Sequence, residues 1–259
     1  MLVVERNEVT RGDLSELFNG TLTAIRIPDF YSPDAAAAIS RALLKSDLHG
    51  TYENAPAIGR IGQSFFETQA SDDAARRYKK NSIKWIRELR AGLHPHLTPI
   101  DRIRLEMEEL WPAGAQLGTM NGTKMFAGLA RTFAEGSYAE PHQDILAWDA
   151  PTQPEAREIT SQVAMNVYLT MPEAGGSLTL WDISYDQQEY DRRRIKDSYG
   201  LRREELPVPT ATLQPRVGEL ILFNATKVHA VEIIQRGQRV TWSCFIGYRN
   251  DQSPLMLWS

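Results

Sequence analysis

The chain has 259 residues, 42% apolar and 24% charged, with 29 basic against 33 acidic side chains and a formal net charge of −4. That balance argues against nucleic acid or an anionic membrane as a partner, and no apolar run approaches the length of a membrane span. Cys244 is the only cysteine, which excludes an internal disulfide and a cysteine-built zinc site. The opening MLVVERNEVTRGD carries acidic residues where a signal peptide needs an apolar stretch, so a reducing cytoplasm is the expected setting.

In chain order, residues 21–30 (TLTAIRIPDF) predict a strand, and SPDAAAAISRALLKS predicts a helix with Ser32 as N-cap and Pro33 in the first turn. Residues 50–69 show no sustained period and several Gly, Pro and Asn, the texture of either a binding loop or a plain surface connection. Two helices follow. The first (71–93) opens at Ser71 with a stripe of Ile83, Ile86, Leu89 and Leu93; the second (100–111) carries Ile103, Met107, Leu110 and Trp111. His94 and His96 lie between them without a nearby carboxylate and read as helix-end residues, and the run Arg76, Arg77, Lys79, Lys80 reads as a solvated face.

From residue 120 the pattern changes to short β-type runs at 124–134, 162–170, 177–183, 208–213, 219–224, 228–235 and 238–248, separated by Gly- and Pro-marked turns. Many short, punctuated strands predict a jelly roll, a cupin-like double-stranded β-helix, flanked by N-terminal helices in an α+β fold. No linker or repeat divides the chain. The expectation is one domain over 1–259, with 1–120 as helical support and possible lid and 121–259 as the jelly-roll core. A polar insert at 184–206 predicts a helix or flap and, with 50–69, is a candidate lid.

The chemistry centres on residues 126–144, FAGLARTFAEGSYAEPHQD. In an extended segment residues i and i+2 point the same way, so His142 and Asp144 aim an imidazole and a carboxylate at one point while Gln143 faces away. One more histidine completes a two-His, one-carboxylate face, the arrangement of non-haem Fe(II) oxygenases. His229 is the candidate, in a late strand directly after GELILFN. Ten residues on, Arg239 shares a strand face with Thr241 and Ser243, offering a planar donor fork and a hydroxyl to a carboxylate. The carboxylate that such a centre needs is the distal one of 2-oxoglutarate, with one position left for O2.

The ordered set F-x-x-G-x5-H-x-D (Phe133 to Asp144), N-x-Y-L (Asn166 to Leu169), G-G-x-L-x-L-W (Gly175 to Trp181), G-x-L-I-L-F (Gly218 to Phe223), H-A-V (His229 to Val231) and G-x-R-x-T (Gly237 to Thr241) resembles Fe(II)/2-oxoglutarate oxygenases of the prolyl-hydroxylase-like type. A closer resemblance, carried by Arg131 with Glu135-Gly136, by Pro172 to Gly176, by Leu222-Phe223-Asn224 and by Trp258-Ser259, is to freestanding small-molecule members that include the hapalindole-type alkaloid halogenases and amino-acid hydroxylases. The resemblance implies Fe(II), 2-oxoglutarate and O2, and a small-molecule substrate.

Two departures matter. The halogenases carry Gly or Ala where this chain has Asp144, and chloride takes the vacated position; a retained Asp144 implies hydroxylation of an unactivated C–H bond, with succinate and CO2 released. Phe133 stands where many relatives have a Tyr that reaches 2-oxoglutarate, so another residue must make that hydrogen bond. Arg131 shares its strand face, and a buried guanidinium needs an anionic partner. That partner is either a carboxylate of substrate or co-substrate, or a structural pair with Glu135 or Asp182. Trp85, Trp111, Trp148, Trp242 and Tyr168 read as core or wall residues, and Trp181 and Phe65 as pocket candidates.

The leading substrate class is a free or N-substituted amino acid, against an alkaloid or nucleotide-type metabolite that is hydroxylated, desaturated or cyclised. Rivals from other classes are a non-catalytic cupin-like binding protein, which loss of a ligand or of Arg239 would favour, and a zinc hydrolase, which needs a general base that nothing here marks. Oligomeric state is open.

Overall fold

Alternation of side chains along the central strands sets the layering of the computed structural model, which describes residues 2–52 and 55–259. Ser161–Thr170 lies between Leu220–Asn224 and Arg239–Tyr248 and is antiparallel to both. Its residues Val163, Met165, Val167 and Leu169 join the apolar cluster that includes the helices, whereas Ala164 and Tyr168 pack with Leu178, Leu180 and Leu213 of a facing sheet. Leu220–Asn224 repeats the pattern, with Leu220 and Leu222 on the helix side and Ile221 and Phe223 on the other. A period of two with both faces covered is what a sheet sandwiched between two layers requires.

The main sheet continues through Leu22–Ile27 to Leu2–Glu5 on one side, and through Leu129–Phe133 and Ile58–Ile61 to His49–Thr51 on the other. The facing sheet has the order Ala211–Leu213, Leu178–Leu180, His229–Val231, Ala139–His142, antiparallel throughout. The chain passes back and forth between these two sheets, which makes the expected jelly roll. Helices Arg11–Phe18, Pro33–Leu43, Asp72–Leu93 and Pro99–Leu110 add the α part of the α+β fold.

Local signals explain the helices. Ser32, Ser71 and Thr98 cap three of them by accepting from the N–H groups of Ala35, Ala74 and Asp101, each such cap contributing about 1 kcal/mol. The predicted stripes are buried at Ile86, Leu89, Leu93, Ile103, Met107 and Trp111. Arg76, Arg77, Lys79, Lys80, His94 and His96 are exposed.

Several elements differ from expectation. The 50–69 stretch is a hairpin (His49–Thr51 with Ile58–Ile61) followed by a 3-10 turn, Phe65–Ala70; Glu53 and Asn54 lie outside the described residues. Its strands are too short for alternation to emerge, and the sheet edge imposes them. Leu2–Glu5, Ala115–Leu117 and Leu255–Trp258 are strands that the sequence pattern did not reveal, each formed through long-range pairing. The 124–134 run becomes regular only at Leu129, because Gly128 has a positive φ of 119° that breaks the pleat. The 228–235 run divides into His229–Val231 and Ile234–Arg236, which pair with different partners.

One buried ion pair ties the edge of the main sheet to its centre. Glu219, fully buried, accepts from Arg26 Nε at 2.5 Å, Arg26 Nη2 at 2.9 Å and the Arg216 N–H at 2.7 Å. Removing one partner of a buried, fully hydrogen-bonded pair strands the other. Glu219→Ala is therefore expected to lower the unfolding free energy by about 3–5 kcal/mol, whereas Glu88→Ala, at the exposed Lys84–Glu88 pair, should cost under about 1 kcal/mol. Urea unfolding checks both, and equal small losses would show that the Glu219 cluster does not hold the sheet.

Candidate metal centre

Pairing within the facing sheet creates the centre. His142, the last residue of Ala139–His142, is directly opposite His229, the first of His229–Val231, and the two rings lie 4.3 Å apart between centroids. The chain then leaves the strand, and the Asp144 N–H donates to the Ala225 carbonyl at 2.9 Å, which anchors the carboxylate in place. Asp144 Oδ2 is 3.3 Å from His229 Nε2 and 3.8 Å from His142 Nε2. One donor atom from each residue lies within 4.8 Å of the others. Gln143 points away, donating to the Thr226 carbonyl at 2.8 Å.

The outer nitrogens fix the tautomers. His142 Nδ1 is 2.7 Å from the Glu140 carbonyl and His229 Nδ1 is 3.0 Å from the Lys227 carbonyl. A carbonyl oxygen only accepts, so both Nδ1 atoms carry the proton and both Nε2 lone pairs face inward, as metal-ligating imidazoles require. Burial and the neighbouring His229 hold His142 down at about 4. Burial pushes Asp144 upward, but His142, His229 and Arg131 outweigh it and hold the carboxyl well below its usual range. His142 is thus neutral and Asp144 ionised near neutral pH. Two nitrogens and one oxygen on one face suit a divalent transition metal with positions left for other ligands.

Across the cavity lies a second built site. Arg239 is 2% exposed; its Nη1 donates to the Gly176 carbonyl at 3.0 Å, and its Nε has no partner. The guanidinium sits 5.3 Å from the Phe133 ring centroid and 5.0 Å from that of Tyr168. Just before the Gly176 carbonyl, Gly175 lets Ala174–Gly175 pair closely with Ile234–Arg236, because a Cβ there would stand 2.1 Å from the Ile233 carbonyl oxygen at a φ of 83°. Burial, together with Arg131, lowers the Arg239 pKa. No carboxylate pairs with Arg239 among the described residues. A buried cation with an unused donor fits a ligand carboxylate. Tyr168 Oη, on the same side, also lacks a hydrogen bond of normal geometry.

Arg131 lies opposite Thr241 across the strand pair Leu129–Phe133 and Arg239–Tyr248. Its Nε donates to Tyr52 Oη at 3.0 Å and its Nη1 to Ser243 Oγ at 2.6 Å, both neutral. Neither Glu135 nor Asp182 pairs with it; Glu135 is exposed and Asp182 is bonded to Lys227. All six predicted residues, Arg131, His142, Asp144, His229, Arg239 and Thr241, line one cavity of about 280 Å³.

Other lining residues gave no sequence signal. Tyr199, from the insert, stands edge-on to His142 at 5.4 Å and accepts from the Glu140 N–H at 2.9 Å. Tyr52, Gln69 and Asp149 also reach the cavity. Phe65 lines it as expected, but Trp181 does not: it is buried in a separate cluster with its Nε1 donating to the Pro207 carbonyl at 2.8 Å. Trp148 takes a place in the wall.

A family model described as carrier-protein-independent halogenase WelO5 matches residues 2–259. The L-gamma-glutamyl-L-propargylglycine hydroxylase of Streptantibioticus cattleyicolor is 25% identical over 263 residues, 99% of this chain and 95% of that protein. Leucinostatins biosynthesis cluster protein S of Purpureocillium lilacinum is 30% identical over 224 residues, 79% of this chain and 86% of that one. The fold is similar to that of an N-substituted L-amino acid dioxygenase from Burkholderia ambifaria, with a TM-score of 0.64 at 14% identity over 97% of this chain and 92% of the other. No helix among the described residues is long and apolar enough to cross a membrane.

Holding His142 neutral links stability to pH. Its pKa is about 4 in the folded protein against 6.5 for the free side chain. Between those values the unfolded chain binds more protons, so the metal-free protein should lose stability as pH falls through this window. Thermal melts of the wild type and of His142→Gln across this range test it: the variant should show a shallower slope, and identical slopes would refute the assignment.

Proposed function

The chain belongs to the carrier-protein-independent halogenase family, and from that premise we propose that it is an Fe(II)/2-oxoglutarate-dependent dioxygenase that hydroxylates, rather than halogenates, a freestanding amino acid. The observation that carries this reading is the Asp144 carboxylate, 3.3 Å from His229 Nε2 and completing the donor face with His142. With Asp144 as a third protein ligand, the position that a halide would need is filled. When bound with 2-oxoglutarate and O2, Fe(II) supplies the oxidising power to hydroxylate an unactivated C–H bond, with succinate and CO2 released.

The chain's own residues do the rest. His142, Asp144 and His229 would hold the metal, with their donor atoms facing the cavity. Arg239 and Thr241, neighbours on one strand face, take the distal carboxylate of 2-oxoglutarate through the guanidinium donors that the protein leaves unused. Arg131 faces the same cavity nearer to Asp144 and contributes its charge to the co-substrate's other carboxylate. Tyr52 and Phe65 of the 50–69 stretch and Tyr190 and Tyr199 of 184–206 line the cavity, which supports these two segments as lids, with 1–259 as one catalytic domain. The hydroxylase relative from Streptantibioticus supports an amino-acid-type substrate, because it matches 99% of this chain.

Anaerobic titration with Fe(II) and then 2-oxoglutarate should produce the weak visible charge-transfer band of a bidentate 2-oxo acid on ferrous iron. Asp144→Ala should abolish hydroxylation. Arg239→Ala should raise the KM for 2-oxoglutarate by about 30-fold or more, the scale of a lost charged hydrogen-bond pair. Bound iron without the band, or an unchanged KM, would remove the clamp from the mechanism.

A further inference from the structure

Among the carboxylates that line the cavity, Asp149 is the one without a basic neighbour. Asp144 faces His142 and His229, and Asp191 has Arg194 at 3.9 Å. Asp149, the last residue of the short helix Leu146–Asp149, accepts only from Gln69 Nε2, at 2.8 Å, and no Lys, Arg or His among the described residues lies at ion-pair distance from it. Burial, with the Asp144 carboxylate nearby, pushes Asp149 up to about 8. Asp149 is half-buried, with its bond to Gln69 at the exposed rim; a carboxyl partly withdrawn from water gains from an opposite charge, and here the described residues provide none.

The surroundings suit a cation. Phe65, Phe66, Trp148 and Tyr190 line the same cavity, and the Trp148 and Tyr190 rings lie 5.2 Å apart. Aromatic faces attract ammonium groups and offer nothing to a second anion. The cavity is thus divided by charge. Arg239 and Arg131 meet carboxylates on the inner face of the main sheet, while Asp149 offers the opposite sign near the 3-10 turn Phe65–Ala70.

We propose that Asp149 receives an ammonium group of the substrate, so that the amine it meets is free and not acylated. The proposal rests on the hydroxylase reading and narrows its substrate class. An N-acyl nitrogen carries no positive charge and would give Asp149 no counter-ion. The competing account is a structural latch, in which Asp149 only fastens the turn through Gln69. Asp149→Asn separates the two, because its carbonyl oxygen still accepts from Gln69 while the charge is gone.

The experiment uses anaerobic holoenzyme with Fe(II) and 2-oxoglutarate, titrated with the twenty proteinogenic L-amino acids and their N-acetyl derivatives, following shifts of the charge-transfer band. The expected result is that at least one free amino acid shifts the band and its N-acetyl derivative does not. Asp149→Asn should weaken that binding by about 30-fold or more, while its Tm and the band itself stay as in the wild type. Asp149→Glu should retain the preference for the free amine. The proposal is overturned if the N-acetyl derivative binds as well, if Asp149→Asn binds as the wild type does, or if no amino acid shifts a band that is present. Absence of the band from the wild type would instead remove the hydroxylase reading, and this inference with it.

Discussion

The centre depends on one register. His142 and His229 stand opposite each other in an antiparallel pair, and the side-chain period of a strand is two. A slip of one residue would turn one imidazole to the outer face and end the convergence of the donor atoms. The register is held beyond the pair itself: Leu178–Leu180 runs along the other side of His229–Val231, and the Asp144 N–H is tied to the Ala225 carbonyl just before that strand. Every other functional placement is measured from this point. Arg239 reaches the cavity from the main sheet, across from His142 and His229, so its separation from their donor atoms is set by the packing of two sheets, about 10 Å face to face.

Charge inside the cavity bears on which ligands it suits. Two guanidinium groups, Arg131 and Arg239, face a space whose nearest ionised acid, Asp144, is engaged with two imidazoles. Neutral acceptors and ring faces hold the guanidiniums in position but do not neutralise them. Such a site binds anions well because its desolvation cost was already met on folding, and a dicarboxylate that returns two negative charges also stabilises the folded state. The same cavity presents Asp149 without a cation, so its two regions call for ligands of opposite sign.

The insert at 184–206 is fastened close to the centre. Glu140, two residues before His142, accepts from the Gly200 N–H at 3.1 Å and from the Ser198 hydroxyl, while the Leu201 N–H donates to the Pro141 carbonyl at 2.7 Å. Gly200 is required by this approach, since a Cβ there would lie 2.2 Å from that of Glu140. Tyr199 is thereby pressed against the His142 ring. The packing of a peripheral segment thus helps to set the orientation of a candidate metal ligand.

What the sequence determined was whatever depends on local spacing. The i, i+2 relation of His142 and Asp144, the shared face of Arg239, Thr241 and Ser243, the capped helices at Ser32, Ser71 and Thr98, and the alternation that predicts the jelly roll all follow from backbone geometry over a few residues. The tertiary structure decided what depends on which strands meet. It made strands of Leu2–Glu5 and Leu255–Trp258, which carry too few residues for a pattern. It placed Trp181 in a separate cluster and Trp148 in the cavity wall, a choice that no spacing encodes. It also brought Gln69 to Asp149 and Tyr199 to His142, from segments 80 and 57 positions away in the sequence. Contacts between distant segments are fixed by packing and by the satisfaction of buried polar groups, and those are properties of the assembled sheets.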